Sequence, residues 1–254
     1  MSIPQATSMP LFAPLYKAGA ESADVTWATL EYETDPAIVA SVLPRGLTPS
    51  ADGAVACWAA RFEATEFRID GRVVERRKPY WQGGFCVRTA EDDGGSAFAV
   101  SAFIDGGLNA GIMGREVMGM PKKQVRRVRA TGHGGEARFE LVNAEGEPLL
   151  DFQAALRGED TKRAPLPSWM TTQRALKAIP SAEGAGWDVL RIVRSRWRFE
   201  STRTFNRGEG TVTWRWSDRD PLALFAPVGP GRIVLGSGRL AIGFGAYESD
   251  LLGE

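Results

Sequence analysis

The segment Gly114-Arg115-Glu116-Val117-Met118-Gly119-Met120-Pro121-Lys122-Lys123 holds residue types that could do covalent chemistry. Pro121 ends any helix before it and pushes Met120 towards an extended conformation, so Lys122 and Lys123 open a strand. Adjacent strand residues point to opposite faces, which lets one lysine enter a pocket while the other supports it or faces away. Val117, Met118 and Met120 would make that pocket apolar. Desolvation and a neighbouring like charge both disfavour an ammonium, leaving a free amine able to attack a ketone. From spacing alone, a pair of surface lysines after a turn is the simpler explanation of the segment.

The rest of the composition removes other classes of function. The 31 Lys and Arg residues balance the 31 Asp and Glu residues, so the basic excess of a nucleic-acid or lipid binder is missing. His133, the single histidine, lies in a Gly-His-Gly-Gly turn composition, and the two cysteines, Cys57 and Cys86, cannot make a zinc site alone. No metal or other cofactor is expected. Gly236-Ser237-Gly238-Arg239-Leu240-Ala241 fits a dinucleotide-binding glycine pattern, but the chain ends at Glu254, too soon for the helix, strand and acidic residue that must follow; a β-turn is the expectation. Gly114 to Gly119 has P-loop glycine spacing with Met120 where the lysine belongs. Arginines 126, 127 and 129, and 191, 194, 196 and 198, read as solvated strand faces. The N-terminus lacks a basic region followed by an unbroken apolar run, and no stretch is apolar enough to span a membrane, so a cytoplasmic chain is expected.

The elements that must position the lysines are mostly strands. The 29 glycines and 15 prolines fall at short intervals between short apolar runs. Residues 54–62, 97–104, 136–142, 211–216 and 232–235 read as strands. Asp35 can cap a helix that starts at Pro36 and stops before Pro44. Residues 106–118 form a second helix candidate and Thr171–Ile179 a third, ended by Pro180. Residues 158–167 read as a polar surface loop, and residues 1–254 as one domain.

The Gly-Arg-Glu followed by Pro-Lys-Lys resembles the signature of the acetoacetate decarboxylase-like superfamily. Acetoacetate decarboxylase is itself a known case of a lysine activated by an adjacent cation. The resemblance makes Lys122 the Schiff-base lysine and Lys123 its neighbouring cation, with Arg115 and Glu116 bracing the site. Tyr32-Glu33-Thr34-Asp35-Pro36 with Val42-Leu43-Pro44-Arg45-Gly46-Leu47 is similar to the family's N-terminal segment. Tyr80-Trp81-Gln82-Gly83-Gly84 is similar to the strand that carries its active-site acid. Gln82 stands where true decarboxylases have glutamate, and Val25 or a neighbour where they have arginine, with no arginine close by in sequence.

The implied fold is α+β and predominantly antiparallel β, a closed cone-like barrel with a few outer helices. The implied function is a Schiff-base-forming lyase on small oxo acids, either a pyruvate aldolase-dehydratase or a hydratase of unsaturated 2-oxo acids. Tyr80, Gln82, Met118 and Met120 would contact the substrate. Plain β-keto acid decarboxylation is the alternative, and a non-catalytic small-molecule binder a further one. The expected partners are a small oxo acid and further copies of the chain, with no nucleic acid and no membrane.

Overall fold

The computed structural model describes residues 8–9, 12–91, 94–106, 108–158 and 162–252. The first strands are β1 (Ala20–Glu33), β2 (Ala54–Phe62), β3 (Thr65–Ile69), β4 (Arg72–Arg77), β5 (Tyr80–Thr89) and β6 (Ser96–Asp105). Next come β7 (Lys122–Gln124), β8 (Arg127–His133), β9 (Glu136–Val142), β10 (Pro148–Ala155) and β11 (Arg157–Gly158). The chain finishes with β12 (Thr172–Pro180), β13 (Trp187–Gly210), β14 (Val212–Trp214), β15 (Gly231–Ile242) and β16 (Ala246–Asp250). Two α-helices, α1 (Pro36–Val42) and α2 (Leu108–Met118), interrupt them. No helix among the described residues is long and apolar enough to cross a membrane.

A twelve-stranded sheet runs β11-β13-β12-β6-β5-β2-β1-β3-β4, with β15 paired to both β1 and β13, β16 to β13 and β7 to β6. A four-stranded sheet, β14-β10-β9-β8, lies apart in pairing. The ladders are antiparallel except β12 with β6 and β6 with β7. β2 is a near-continuous apolar run because both of its faces are covered. On one face, Leu30, Tyr32, Val55, Cys57, Phe85 and Val87 pack with Val128, Phe139, Leu141 and Phe152 of the small sheet. The other face carries Ala23, Val25, Trp27, Trp58, Tyr80, Ala102, Ile104 and Trp197.

The expected helix at Pro36 is present: the Asp35 carboxylate accepts from the Ala37 amide at 2.8 Å, and the helix stops before Pro44. The second helix runs as α2, with Gly106 before it and residue 107 outside the described residues. The third does not exist. Thr172–Pro180 is β12, which gains ladder bonds from β6 on one side and β13 on the other. Those bonds outweigh a weak local helix preference. Gly236–Ala241 is not a turn either but the middle of β15. There a Cβ on Gly238 would collide with the Ser201 carbonyl oxygen, so glycine permits the close approach of bulged β13. His133 ends β8 at a Gly134-Gly135 turn with positive φ at both glycines. Arg196 and Arg198 are exposed on alternate positions of β13, as a solvated face requires. Of the expected loop at 158–167, residues 159–161 lie outside the described residues, as do residues 1–7 of the N-terminus.

Trp27 and Trp58 anchor the second face. Their rings stack at 4.5 Å and 7°, and Trp197 meets Trp58 edge-on at 5.4 Å. Such pairs contribute about 0.5–1.5 kcal/mol each beyond the area they bury. Trp58→Ala is expected to lower the unfolding free energy by about 3–5 kcal/mol in guanidinium titrations. A loss under about 1 kcal/mol would show that the cluster does not organise this face.

Candidate active site

Lys122 reaches its position through the end of α2. Gly119 adopts φ +68° and its amide donates to the Arg115 carbonyl at 3.2 Å, a left-handed glycine cap that halts the helix. Met120 and Pro121 then lead the chain alongside β6, where Lys122 pairs with Ala102. Arg115 donates to the Lys122 carbonyl at 2.9 Å, tying the helix to the strand it precedes. On β5, Gln82 pairs with Ile104, two residues along β6 from Ala102, so both side chains project from the tryptophan-bearing face. Lys122 Nζ donates to Gln82 Oε1 at 2.6 Å.

Small residues make room for this amine. Its ladder partner on β6 is Ala102, and a Cβ on Gly114 would sit 2.5 Å from Lys122 Cε and 2.7 Å from Nζ. Lys122 is only 9% exposed. Burial lowers its pKa to about 8; the opposite charge of Glu21 pulls it up, and the like charge of Arg77 pulls it down.

Glu21 and Arg77 escaped the sequence reading. Glu21 shares its face with Ala23, Val25 and Trp27 by the period of two along β1, and it is paired with Phe67 on one side and Ile242 on the other. It is half-buried, and desolvation raises its pKa, while Lys122, Arg77 and a hydrogen bond from Tyr80 act in the opposite direction. The Tyr80 hydroxyl donates to Glu21 Oε1 at 3.4 Å. Tyr80 stacks on Phe62 at 5.1 Å, and burial pushes its own pKa well up. Arg77 arrives through the β3–β4 hairpin, whose Asp70-Gly71 turn has positive φ at both positions. Its guanidinium lies 4.2 Å above the Phe67 ring and donates to Glu75 at 2.8 Å. The absence of an arginine near the β1 segment in sequence therefore does not leave the site without one. A period-of-two count back from Trp27 would have flagged Glu21; no local signal marks Arg77.

The remaining expected residues divide. Met118 lines a cavity of about 20 Å³ together with Glu21, Met113, Val117, Ile242 and Phe244. Met120 is instead buried in the core against the tryptophan face. Lys123 is 39% exposed, held by the Asp220 carboxylate and the Arg219 carbonyl. Arg77 is a like charge that acts on Lys122, while Lys123 is turned to Asp220. Arg115 and Glu116 are exposed and bond different partners, Glu116 accepting from the Tyr16 hydroxyl at 2.5 Å. No three His, Cys, Asp or Glu side chains among the described residues are grouped to hold a metal ion. What the site presents is a buried amine of lowered basicity beside an amide, a carboxyl and a phenol.

The glycine cradle makes a direct prediction. Gly114→Ala should leave the unfolding free energy within about 1 kcal/mol, because alanine favours the helix and Lys122 can swing aside. A crystal structure of the variant should show Nζ moved beyond hydrogen-bonding reach of Gln82. An unmoved amine with α2 displaced would contradict the cradle.

The family model for acetoacetate decarboxylase (ADC) matches residues 8–252. Acetoacetate decarboxylase from Legionella pneumophila superposes with a TM-score of 0.78 at 18% identity, covering 97% of this chain and 94% of that one. An acetoacetate decarboxylase-like enzyme from Sphingomonas wittichii RW1 gives 0.78 at 18%, covering 97% and 99%. The enduracididine biosynthesis enzyme MppR, in its complex with pyruvate, gives 0.74 at 19%, covering 96% and 95%. At these identities the likeness concerns the fold. No curated protein matches. The family match from end to end of the described chain is of a different weight, and by it the chain belongs to the acetoacetate decarboxylase family of enzymes.

Proposed function

We propose that the protein is a Schiff-base-forming lyase acting on small oxo acids, with Lys122 as the nucleophile. The observation that carries this reading is the desolvated Lys122 amine, with a pKa of about 8 and a hydrogen bond to Gln82. At pH 7 such a lysine is free amine in roughly one molecule in ten, against fewer than one in a thousand for an ordinary lysine. Attack on the keto carbon gives a carbinolamine, and loss of water gives an iminium that withdraws electrons from the adjacent carbon. Gln82, positioned at the amine, orients the carbinolamine oxygen or the substrate carboxylate through its amide. Arg68, Arg196 and Arg198 line a groove of about 620 Å³ that Glu21 also lines, which favours an anionic substrate although Glu200 partly offsets them.

Within that class we favour aldol condensation and dehydration with pyruvate as donor, or hydration of an unsaturated 2-oxo acid. MppR has been crystallised with pyruvate and with the condensation product of pyruvate and imidazole 4-carboxaldehyde, which supports the choice by fold alone. β-Keto acid decarboxylation uses the same iminium and is the second reading, favoured by family membership and by Arg77 near Lys122. We also read the chain as one domain and, from the resemblance, as a cytoplasmic homo-oligomer. The circuit of pairings β1-β2-β5-β6-β12-β13-β15 and back to β1 supports the cone-like barrel of that family.

Borohydride with pyruvate should leave a covalent adduct that peptide mass spectrometry maps to Lys122, and Lys122→Ala should lose it while remaining folded. An adduct on Lys123, or none with any of a panel of oxo acids, would overturn the assignment. With acetoacetate, the absence of a carboxyl at Gln82 predicts little carbon dioxide. Release at about 1 per second or faster would make the protein a decarboxylase.

A further inference from the structure

The iminium step leaves a task that Gln82 cannot perform. An enamine forms only if a base removes a proton from the carbon next to the iminium, and a side-chain amide does not exchange protons near neutral pH. Of the groups surrounding Lys122, Arg77 carries a guanidinium, which has no acceptor for a proton, and the Tyr80 phenol is pushed further from ionisation by burial. Lys123 is turned to Asp220, and Glu116 to Tyr16.

Glu21 is differently placed. It is on the tryptophan-bearing face of β1, lines the small cavity with Met113, Met118 and Phe244, and is a leading charge in the surroundings of Lys122, as Lys122 is in its own. The Tyr80 hydroxyl holds one carboxyl oxygen. The cavity of about 20 Å³ is one water's worth, so a three-carbon acid would have to displace the flexible methionines beside it.

We propose that Glu21 is the acid–base residue of the reaction, taking the proton from substrate carbon 3 once Lys122 carries the iminium. The inference rests on the imine reading above. In this step the C3–H bond breaks and its proton passes to the Glu21 carboxylate. The bonding pair becomes the C2–C3 double bond, and the π pair of the iminium returns to nitrogen as a lone pair. A buried ion pair thus becomes a neutral acid beside a neutral enamine. Removing two charges from a desolvated site lowers its cost, so the same burial that weakens Lys122 as a base drives the transfer. When an aldehyde is the second substrate, the enamine carbon attacks its carbonyl and Glu21 returns the proton to the new alkoxide. Glu21 therefore takes over the acid–base work that Gln82, an amide, cannot do.

The test separates imine formation from proton transfer in the intact protein. Pyruvate in D2O is followed by proton NMR for loss of the methyl signal, and borohydride trapping measures the imine on Lys122 in the same samples. Wild type should show both. Glu21→Gln should keep the adduct while exchange per trapped imine falls about 100-fold or more, and Glu21→Asp should lie between. Exchange per imine within tenfold of wild type in Glu21→Gln overturns the proposal. If that variant does not fold, Glu21→Asp decides alone: exchange per imine equal to wild type overturns it, and a clear loss supports it. A wild-type adduct without exchange overturns the proposal alone, whereas absence of a wild-type adduct removes the imine reading beneath it.

Discussion

The architecture around the site answers to one constraint, the burial of a single amine on the tryptophan-bearing face of the large sheet. Moving an ammonium out of water costs several kcal/mol unless it is paired or neutralised. Here the fold neither pairs Lys122 fully nor exposes it. Its pKa of about 8, against 10.5 for the free side chain, corresponds to on the order of 3 kcal/mol of preference for the neutral form. That cost is carried by a face rich in tryptophan, whose stacked and edge-on rings on β1, β2 and β13 supply burial elsewhere on it. Ala102 and Gly114 are small where the amine must lie, and Gly84 is bare where the Trp58 indole covers β5.

Around the amine, charge is balanced rather than simply removed. Glu21 draws Lys122 towards the ammonium and Arg77 pushes it back, while Arg77 also holds down the raised pKa of Glu21. The hairpin of β3 and β4 makes this possible: Phe67 pairs with Glu21 along one ladder and bears Arg77 on its ring. A strand slip of one residue in that hairpin would turn Phe67 away from Tyr16, Ala18 and Met113, against which it is buried, and remove the support of the guanidinium. Gln82 completes the arrangement as a neutral group that accepts from the amine in either protonation state.

The sequence made the lysine legible because proline, glycine and strand alternation are local. Pro121 and the adjacent lysines implied a strand start with one lysine turned inward, and Lys122 and Lys123 do diverge in this way. The strands at 54–62 and 136–142 and the helix at Pro36 were readable for the same reason. What stayed hidden depends on distant pairing. Arg77 becomes a neighbour of Lys122 through sheet order, and Asp220 captures Lys123 from far along the chain. Thr172–Pro180 looked helical because its ladder partners lie in β6 and β13, and the glycines at 236 and 238 looked like a turn because the bulged strand they accommodate is β13.

Desolvation as the cause of the altered lysine is the central claim, and it is tested most directly by the ionisation of Lys122 itself. The measurement is an NMR titration of the Lys122 side chain in isotopically labelled protein, for the wild type, Arg77→Met and Lys123→Ala. A midpoint near 8 is expected in the wild type. Removing the like charge of Arg77 should move it upward, and removing Lys123 should leave it in place. A wild-type midpoint at the ordinary lysine value of about 10.4 would contradict the account, as would an upward shift in Lys123→Ala matching that in Arg77→Met.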